Sequence, residues 1–106
     1  MRILIAEDDY ASRKFMLRFL SKYGDCDITV DGQEAVDAYI MALEDNLAYD
    51  LVCLDIMMPE LDGYLALKCI RDIEKDNGIP EEKRAKIIMT TALNDRRNVT
   101  KAFELG

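Results

Sequence analysis

Apolar runs alternate along the chain with amphipathic segments. Four short apolar runs are bounded by polar residues, as is typical of strands buried on both faces of a parallel sheet; they span residues 3–6, 26–30, 51–54 and 86–90. Apolar residues at helical spacing follow each run; they are Phe15, Met16, Phe19, Leu20 and Tyr23, then Ala35, Ala38, Tyr39, Ala42 and Leu43, then Ala66, Cys69, Ile70 and Ile73, and last Val99, Ala102 and Phe103. The order predicts a doubly wound α/β unit of alternating strands and helices with right-handed crossovers.

Helix boundaries can be read from a few polar residues and glycines. Gly24 is a stop signal for the first helix, and Asp31 followed three residues later by Glu34 is typical of a capped start for the second. Asn94 or Asp95 can cap the last helix. Residues 75–86 contain an Asn-Gly pair and Pro80, which predicts a polar connection with room for a short helical turn.

Length, charge and composition exclude several classes of protein. A chain of 106 residues suits one domain, and no apolar run has the roughly 18 residues of a membrane span or the features of a signal peptide. The absence of histidine excludes Ser-His, Cys-His and His-metal sites. Three cysteines without zinc-like spacing favour a reduced, cytoplasmic setting. A pI near 4.5 argues against a surface that binds nucleic acid.

Acidic residues are concentrated in the first 60 residues, which carry 13 acidic and 5 basic side chains. Any one of these acids alone is best read as a cap or a solvated surface residue. However, Glu7, Asp8, Asp9 and Asp55 follow buried strands, at the sheet edge where α/β proteins bind ligands. Clustered carboxylates hold a proton or bind a cation such as Mg²⁺. An aspartate beside that cation can accept a phosphoryl group, and the Thr91 hydroxyl could hydrogen-bond a phosphoryl oxygen.

The sequence as a whole resembles the receiver domain of two-component response regulators. The segments that carry the resemblance are Ile3-Leu4-Ile5-Ala6-Glu7-Asp8-Asp9, Asp31-Gly32-Gln33-Glu34-Ala35, Tyr49-Asp50-Leu51-Val52-Cys53-Leu54-Asp55-Ile56-Met57-Met58-Pro59-Glu60-Leu61-Asp62-Gly63 and Ile87-Ile88-Met89-Thr90-Thr91-Ala92. The match is specific because these pieces occur together.

The resemblance implies roles for individual residues. Asp55 would be the phosphoacceptor. Glu7 and Asp8 would be the family's acidic pair, with Asp9 more peripheral, because Arg13 stands five residues after Asp8 as an arginine often does in the family. Asp8 would bind Mg²⁺ directly and Glu7 through water. The backbone carbonyl of Met57 would complete the protein ligands, while Thr91 and Ala92 would form the switch.

The family's sheet order, 2-1-3-4-5, implies a flavodoxin-like fold, here 2-1-3-4. The family has a fifth strand, followed by Lys-Pro, and a fifth helix. We expect both elements to be missing, so that residues 1–106 form a single receiver domain that is incomplete at its C-terminal end. Lys86 and Lys101 are in the wrong places to supply the family's lysine, so no catalytic lysine is assigned. An apolar fourth strand at the edge of the sheet predicts that the chain either forms a homodimer through that edge and the flanking apolar faces or is unstable.

The function implied by the resemblance is Mg²⁺-dependent transfer of a phosphoryl group to Asp55 from a histidine kinase or phosphotransfer protein. Such a domain signals by accepting and losing the phosphoryl group and is not a dedicated enzyme. A degenerate receiver that acts only in protein interaction or dimerisation remains an alternative. A haloacid-dehalogenase-type phosphatase fits less well, because Met57 stands where its second aspartate is needed, and a flavodoxin-like FMN site would need a Ser/Thr/Gly-rich loop in place of the acids.

Overall fold

Four parallel strands form one sheet in the computed structural model, which describes residues 1–56, Met58 and residues 61–90. The strands are β1 (Arg2–Ala6), β2 (Asp25–Thr29), β3 (Leu51–Asp55) and β4 (Lys86–Thr90); the helices are α1 (Tyr10–Leu20), α2 (Gly32–Glu44) and α3 (Gly63–Asp76), with a 3₁₀ turn at Glu81–Lys83. The strand order β2-β1-β3-β4 confirms the predicted order.

Each of the three helices begins after an aspartate N-cap. Asp9 accepts a hydrogen bond from the backbone N–H of Ser12 at 2.9 Å, and Asp62 accepts one from that of Leu65 at 2.9 Å. Asp31 accepts one from the N–H of Glu34 at 2.8 Å, which confirms the capped start predicted there. Such bonds satisfy N–H groups that the helix itself leaves unpaired.

The core fills the space between the sheet and the two helices α2 and α3. The central strands β1 and β3 are almost wholly buried, as their continuous apolar runs predict. Buried core residues from these four elements include Leu4, Ala6, Ala35, Val36, Tyr39, Ala42, Val52, Leu54, Ala66, Leu67 and Ile70. This arrangement fixes β1 against β3 and so determines which side chains meet at their carboxyl ends.

The structure departs from the predicted pattern at α1. The helix forms, but it ends at Leu20 instead of continuing to Gly24, and none of its residues is buried. Phe15 is 71% exposed and stacks on Phe19, with ring centroids 6.5 Å apart. Apolar spacing therefore predicted the helix correctly, although these two rings are largely exposed and stack on each other.

The remaining boundaries differ by small amounts. Helix α3 continues to Asp76, two residues into the predicted polar connection, and the 3₁₀ turn lies within that connection. The predicted last helix, with its cap at Asn94 or Asp95, lies outside the described residues. Among the helices that the structure describes, none has the length and apolar character needed to cross a bilayer.

Candidate functional site: an acidic cluster at the sheet edge

The pairing of β1 with β3 brings acids that are distant in the sequence to the same edge of the sheet. Ala6 is aligned with Leu54 in the parallel register, Glu7 directly follows β1, and Asp55 is the last residue of β3. The carboxyl ends of neighbouring parallel strands lie side by side, so the Glu7 and Asp55 carboxylates meet at this edge. This edge is where open α/β sheets bind ligands.

Three carboxylates form a cluster at this edge. Glu7, Asp8 and Asp55 each offer an oxygen that lies within 4.8 Å of the other two. Glu7 and Asp55 are buried, with 7% and 6% of their surfaces exposed, whereas Asp8 is exposed. The cluster is therefore covered on the sheet side and reached by solvent past Asp8.

Burial and the neighbouring acids raise the pKa of Glu7 from the usual 4.5 to about 7. Loss of solvent is the largest cause, followed by a hydrogen bond with the Asp55 side chain and by the negative charges of Asp55 and Asp8; a backbone hydrogen bond from Asp9 acts in the opposite direction. A proton held by Glu7 relieves repulsion in the cluster. A bound cation would relieve it in the same way.

Arg13 and Asp9 hold the turn that carries the acidic pair. The Arg13 guanidinium donates to the backbone carbonyl oxygens of Glu7 at 3.2 Å and Asp8 at 2.9 Å. The Asp9 side chain accepts from the N–H of Ser12, and this bond lowers the pKa of Asp9. Asp9 is therefore the N-cap of α1 and lies outside the three-residue cluster.

The donor set suits a hard divalent cation. Carboxylate oxygens are the ligands that Mg²⁺ prefers, and it typically takes one or two carboxylates together with water and phosphate oxygens. Burial raises the pKa of Glu7 most, and the charges of Asp55 and Asp8 add to this shift; a divalent cation would offset those charges. The Glu7, Asp8 and Asp55 side chains therefore fit a magnesium ion.

A family model described as the response regulator receiver domain matches residues 3–106. The chain belongs to this family. A receiver domain is the phosphoacceptor part of a two-component signalling system, so family membership gives the chain that role. The match also agrees with the sheet order and with the position of the acidic cluster.

Solved receiver domains share the fold. The chain is similar to the receiver domain of the histidine kinase CKI1 from Arabidopsis thaliana, solved with Mg²⁺ and BeF₃⁻, with a TM-score of 0.80 and 27% identity over 99% of this chain and 75% of that one. It is also similar to the Saccharomyces cerevisiae complex of the histidine phosphotransfer protein Ypd1 with the receiver domain of Ssk1, with a TM-score of 0.76, 31% identity, and coverage of 100% and 73%.

Curated relatives are much longer than this receiver domain. The hybrid signal transduction histidine kinase I of Dictyostelium discoideum is 37% identical over 78 residues, which are 73% of this chain and 4% of that protein. Across the first three such relatives, the chain spans between 4% and 36% of their length. The similarity is thus a similarity of one domain.

Not every predicted site residue falls within the described part of the receiver domain. Glu7, Asp8 and Asp55 come together as described, whereas Met57, Thr91 and Ala92 lie outside the described residues, as does Lys101. Lys86 begins β4, aligned with Leu51, at the end of the sheet opposite the acidic cluster. Lys86 is therefore remote from the three carboxylates.

Two residues near the site were not singled out from the sequence. The buried Thr29 donates its hydroxyl to the Ile5 carbonyl oxygen at 3.0 Å and accepts the N–H of Glu7 on its own carbonyl. Gly63, the first residue of α3, packs against the backbone of Asp55. A glycine directly after an aspartate cap is a signal that could have pointed to a close backbone approach.

Proposed function

We propose that Asp55 is the phosphoacceptor and that Glu7, Asp8 and Asp55 hold Mg²⁺ beside it. The observation that supports this proposal is the convergence of the three carboxylates, with their oxygens within 4.8 Å, at the carboxyl ends of β1 and β3. Asp55 is the last residue of β3, a central strand of the described sheet, and is aligned with Thr90 of β4. The exposed side of the cluster, at Asp8, leaves room for a donor to approach.

When bound, Mg²⁺ supplies positive charge that stabilises the transferring phosphoryl oxygens. The chain's own residues bind and orient. Asp8 is proposed to bind the ion directly, Glu7 through a water molecule, and the Met57 backbone carbonyl to complete the protein ligands. The Met57 carbonyl remains a prediction that follows from its place two residues after Asp55.

The phosphoryl donor must lie outside these 106 residues, because they contain no histidine. A carboxylate oxygen of Asp55 forms a bond to phosphorus while the bond from phosphorus to the donor's imidazole nitrogen breaks. The nitrogen keeps the electron pair and takes a proton, which leaves neutral histidine on the partner. Water then hydrolyses the acyl phosphate to inorganic phosphate and restores the Asp55 carboxylate, which ends the signal.

The partner is proposed to be a histidine kinase or a histidine phosphotransfer protein. The similarity to the Ssk1 receiver domain, solved with the phosphotransfer protein Ypd1, supports this choice. The three cysteines are all free, in agreement with a reducing compartment, and we propose that the exchange takes place in the cytoplasm.

Thr91 and Ala92 are proposed to form the switch that reports phosphorylation. Thr90, the last residue of β4, is aligned with Asp55, and its carbonyl accepts the N–H of Ile56 at 2.9 Å. Thr91 follows Thr90 directly in the chain. A phosphoryl group on Asp55 would add charge and acceptor oxygens that a threonine hydroxyl can bind, and so shift the balance between two arrangements.

Incubation with acetyl phosphate and Mg²⁺, followed by intact mass spectrometry, tests the acceptor assignment. We expect the wild-type chain to gain the mass of one phosphoryl group and Asp55→Asn to gain none. Asp37→Asn, which changes an exposed aspartate of α2 instead, should be labelled like the wild type. No gain in the wild type, or an equal gain in Asp55→Asn, would contradict the assignment.

A second candidate function is self-association through β4, without a phosphoryl signal. The observation that favours it is the apolar character of this strand, in which Ile88 is 51% exposed, together with its place at one end of the described sheet. Self-association through β4 does not depend on phosphoryl transfer to Asp55, so one domain can do both. Light scattering tests the association separately from the transfer.

A further inference from the structure

The backbone of Gly63 lies unusually close to that of Asp55. A Cβ atom added to Gly63 would stand 2.3 Å from the Asp55 carbonyl oxygen, 2.9 Å from the Asp55 carbonyl carbon and 2.8 Å from the Met89 methyl carbon. Real Cβ atoms essentially never come within 3.0 Å of another heavy atom in this way. Glycine is therefore the residue that allows α3 to begin directly against the end of β3.

The Asp55 backbone is held from two directions. On one side, Asp55 is aligned with Thr90, whose carbonyl accepts the N–H of Ile56 at 2.9 Å. On the other side, the N–H of Gly63 donates to the Ile56 carbonyl at 3.1 Å. Ile56, the residue that follows Asp55, is thus held by β4 through its N–H and by the first residue of α3 through its carbonyl.

We propose that Gly63 is a positioning residue for Asp55: the close approach of α3 sets the Asp55 backbone and thereby the distance of its carboxylate from Glu7 and Asp8. This inference rests on the proposed function, in which Asp55 binds Mg²⁺ and accepts the phosphoryl group. A methyl group at residue 63 has to widen the 2.3 Å gap to at least 3.0 Å. Because the three carboxylates meet within 4.8 Å, a displacement of that size alters the cation site.

Gly63→Ala is the direct test, and Gly24→Ala is its matched control. A Cβ on Gly24 would stand 2.2 Å from the Met1 carbonyl oxygen, a clash of the same kind at the opposite end of the sheet. For both variants, Mg²⁺ affinity is measured by calorimetry at pH 8, the initial rate of phosphorylation by acetyl phosphate by mass spectrometry, and the free energy of unfolding without Mg²⁺ by urea titration.

We expect Gly63→Ala to weaken Mg²⁺ binding and slow phosphorylation by roughly tenfold to a hundredfold, the range expected of a displacement near 1 Å at a reacting group. Gly24→Ala should bind Mg²⁺ as the wild type does, whatever stability it loses. Equal Mg²⁺ affinities in the two variants would overturn the inference. Failure of the wild type itself to bind Mg²⁺ or to be phosphorylated would instead overturn the proposed function.

The Met89 side chain provides a way to identify the cause. If the added methyl acts through the flexible end of Met89, the double variant Gly63→Ala with Met89→Ala should regain Mg²⁺ affinity. Our inference predicts no such rescue, because the Asp55 carbonyl oxygen remains in the way. Full recovery in the double variant would contradict it.

A pair of cap variants tests the same inference without added bulk, should Gly63→Ala fail to fold. Asp62→Ala removes the N-cap that fixes the start of α3, whereas Asp62→Asn keeps a capping oxygen and removes only the charge. We expect severalfold weaker Mg²⁺ binding in Asp62→Ala alone. Asp31→Ala, the equivalent change in α2, should leave the affinity unchanged. The same affinity in all three variants would overturn the inference.

Discussion

The Glu7 carboxyl group favours different protonation states with and without a bound metal ion. Burial and the neighbouring carboxylates favour the protonated form in the absence of metal, whereas a cation needs the ionised form. The same residue is held through its backbone, by Arg13 at its carbonyl and by Thr29 at its N–H. The side chain is therefore held where its ionised form is disfavoured. Functional carboxylates commonly have a pKa that is shifted in this way.

This conflict predicts an unusual dependence of stability on pH. Because the pKa of Glu7 is about 7 in the folded chain and 4.5 as its usual value, the folded state holds more protons between these pH values. The free energy of unfolding without Mg²⁺ should therefore contain a contribution that is lost as pH rises from about 4.5 to 7, worth up to roughly 3 kcal/mol at about 1.4 kcal/mol per pKa unit.

Urea titrations across this pH range measure the effect. Glu7→Gln should lack the contribution, while Glu44→Gln, at the end of α2, should keep it. Mg²⁺ affinity should show the opposite trend and increase towards pH 7, because the ion competes with the proton on Glu7. Identical pH slopes in the wild type and Glu7→Gln would show that Glu7 is not the group responsible.

At the scale of elements, a buried polar network joins α2, α3 and the start of β4. Glu74 is fully buried and accepts hydrogen bonds from the Tyr39 hydroxyl at 2.6 Å and the Ala85 N–H at 2.8 Å, and it pairs with Arg71 at 2.7 Å. Burial and the neighbouring carboxylate raise the pKa of Tyr39, so its hydroxyl stays a donor. The network fixes the end of the sheet opposite the acidic cluster.

Removal of the Glu74 carboxylate should strongly destabilise the domain. Glu74→Ala leaves the Tyr39 hydroxyl, the Ala85 N–H and the Arg71 charge without their buried acceptor, at an expected loss of about 3–5 kcal/mol in the free energy of unfolding. Tyr39→Phe removes one hydrogen bond and should lose about 1–2 kcal/mol. Asp72→Ala, at an exposed position of the same helix, is the control in urea titrations. A loss below 1 kcal/mol in Glu74→Ala would contradict this role.

Sequence patterns predicted those features that depend on local order. The strands and the start of α2 follow from apolar runs and from the Asp31 cap, and the site follows because acids stand directly after buried strands. Glu74 could not be predicted in the same way, since a charged residue is normally exposed and its partner Tyr39 is 35 residues distant. The exposure of Phe15 was also hidden, because helical spacing indicates an apolar face without showing what contacts it.

At the scale of the whole molecule, the two ends of the sheet have different roles. The Glu74 network lies at the amino ends of the strands. There the Glu74 carboxylate accepts hydrogen bonds from Tyr39 and Ala85 and pairs with the positive charge of Arg71. The carboxyl end brings together Glu7, Asp8 and Asp55, which repel one another. The well-packed elements between these ends supply the stability that allows like charges to remain close. Because a bound cation would relieve the repulsion between these charges, the repulsion favours cation binding.

The two edge strands of the described sheet differ in charge. The outer strand β2 carries Asp25 and Asp27, and charges of this kind discourage pairing with another chain. The outer strand β4 has the sequence Lys-Ile-Ile-Met-Thr and is paired only with β3 among the described strands. We therefore predict that the 106-residue chain associates through β4, which would cover Ile88 and pair the backbone groups of that strand that face away from β3.

Multi-angle light scattering over a range of concentrations tests this prediction with a matched pair of variants. Ile88→Lys places a charge on β4, and Ile28→Lys places one at the comparably exposed position of β2. We expect the wild type and Ile28→Lys to form dimers as concentration rises, and Ile88→Lys to remain monomeric. A wild type that stays monomeric throughout would contradict self-association, and loss of the dimer in Ile28→Lys alone would move the contact to β2. Thr90, the last residue of β4, is aligned with Asp55. A dimer that weakens when Asp55 is phosphorylated would therefore connect the two proposed functions.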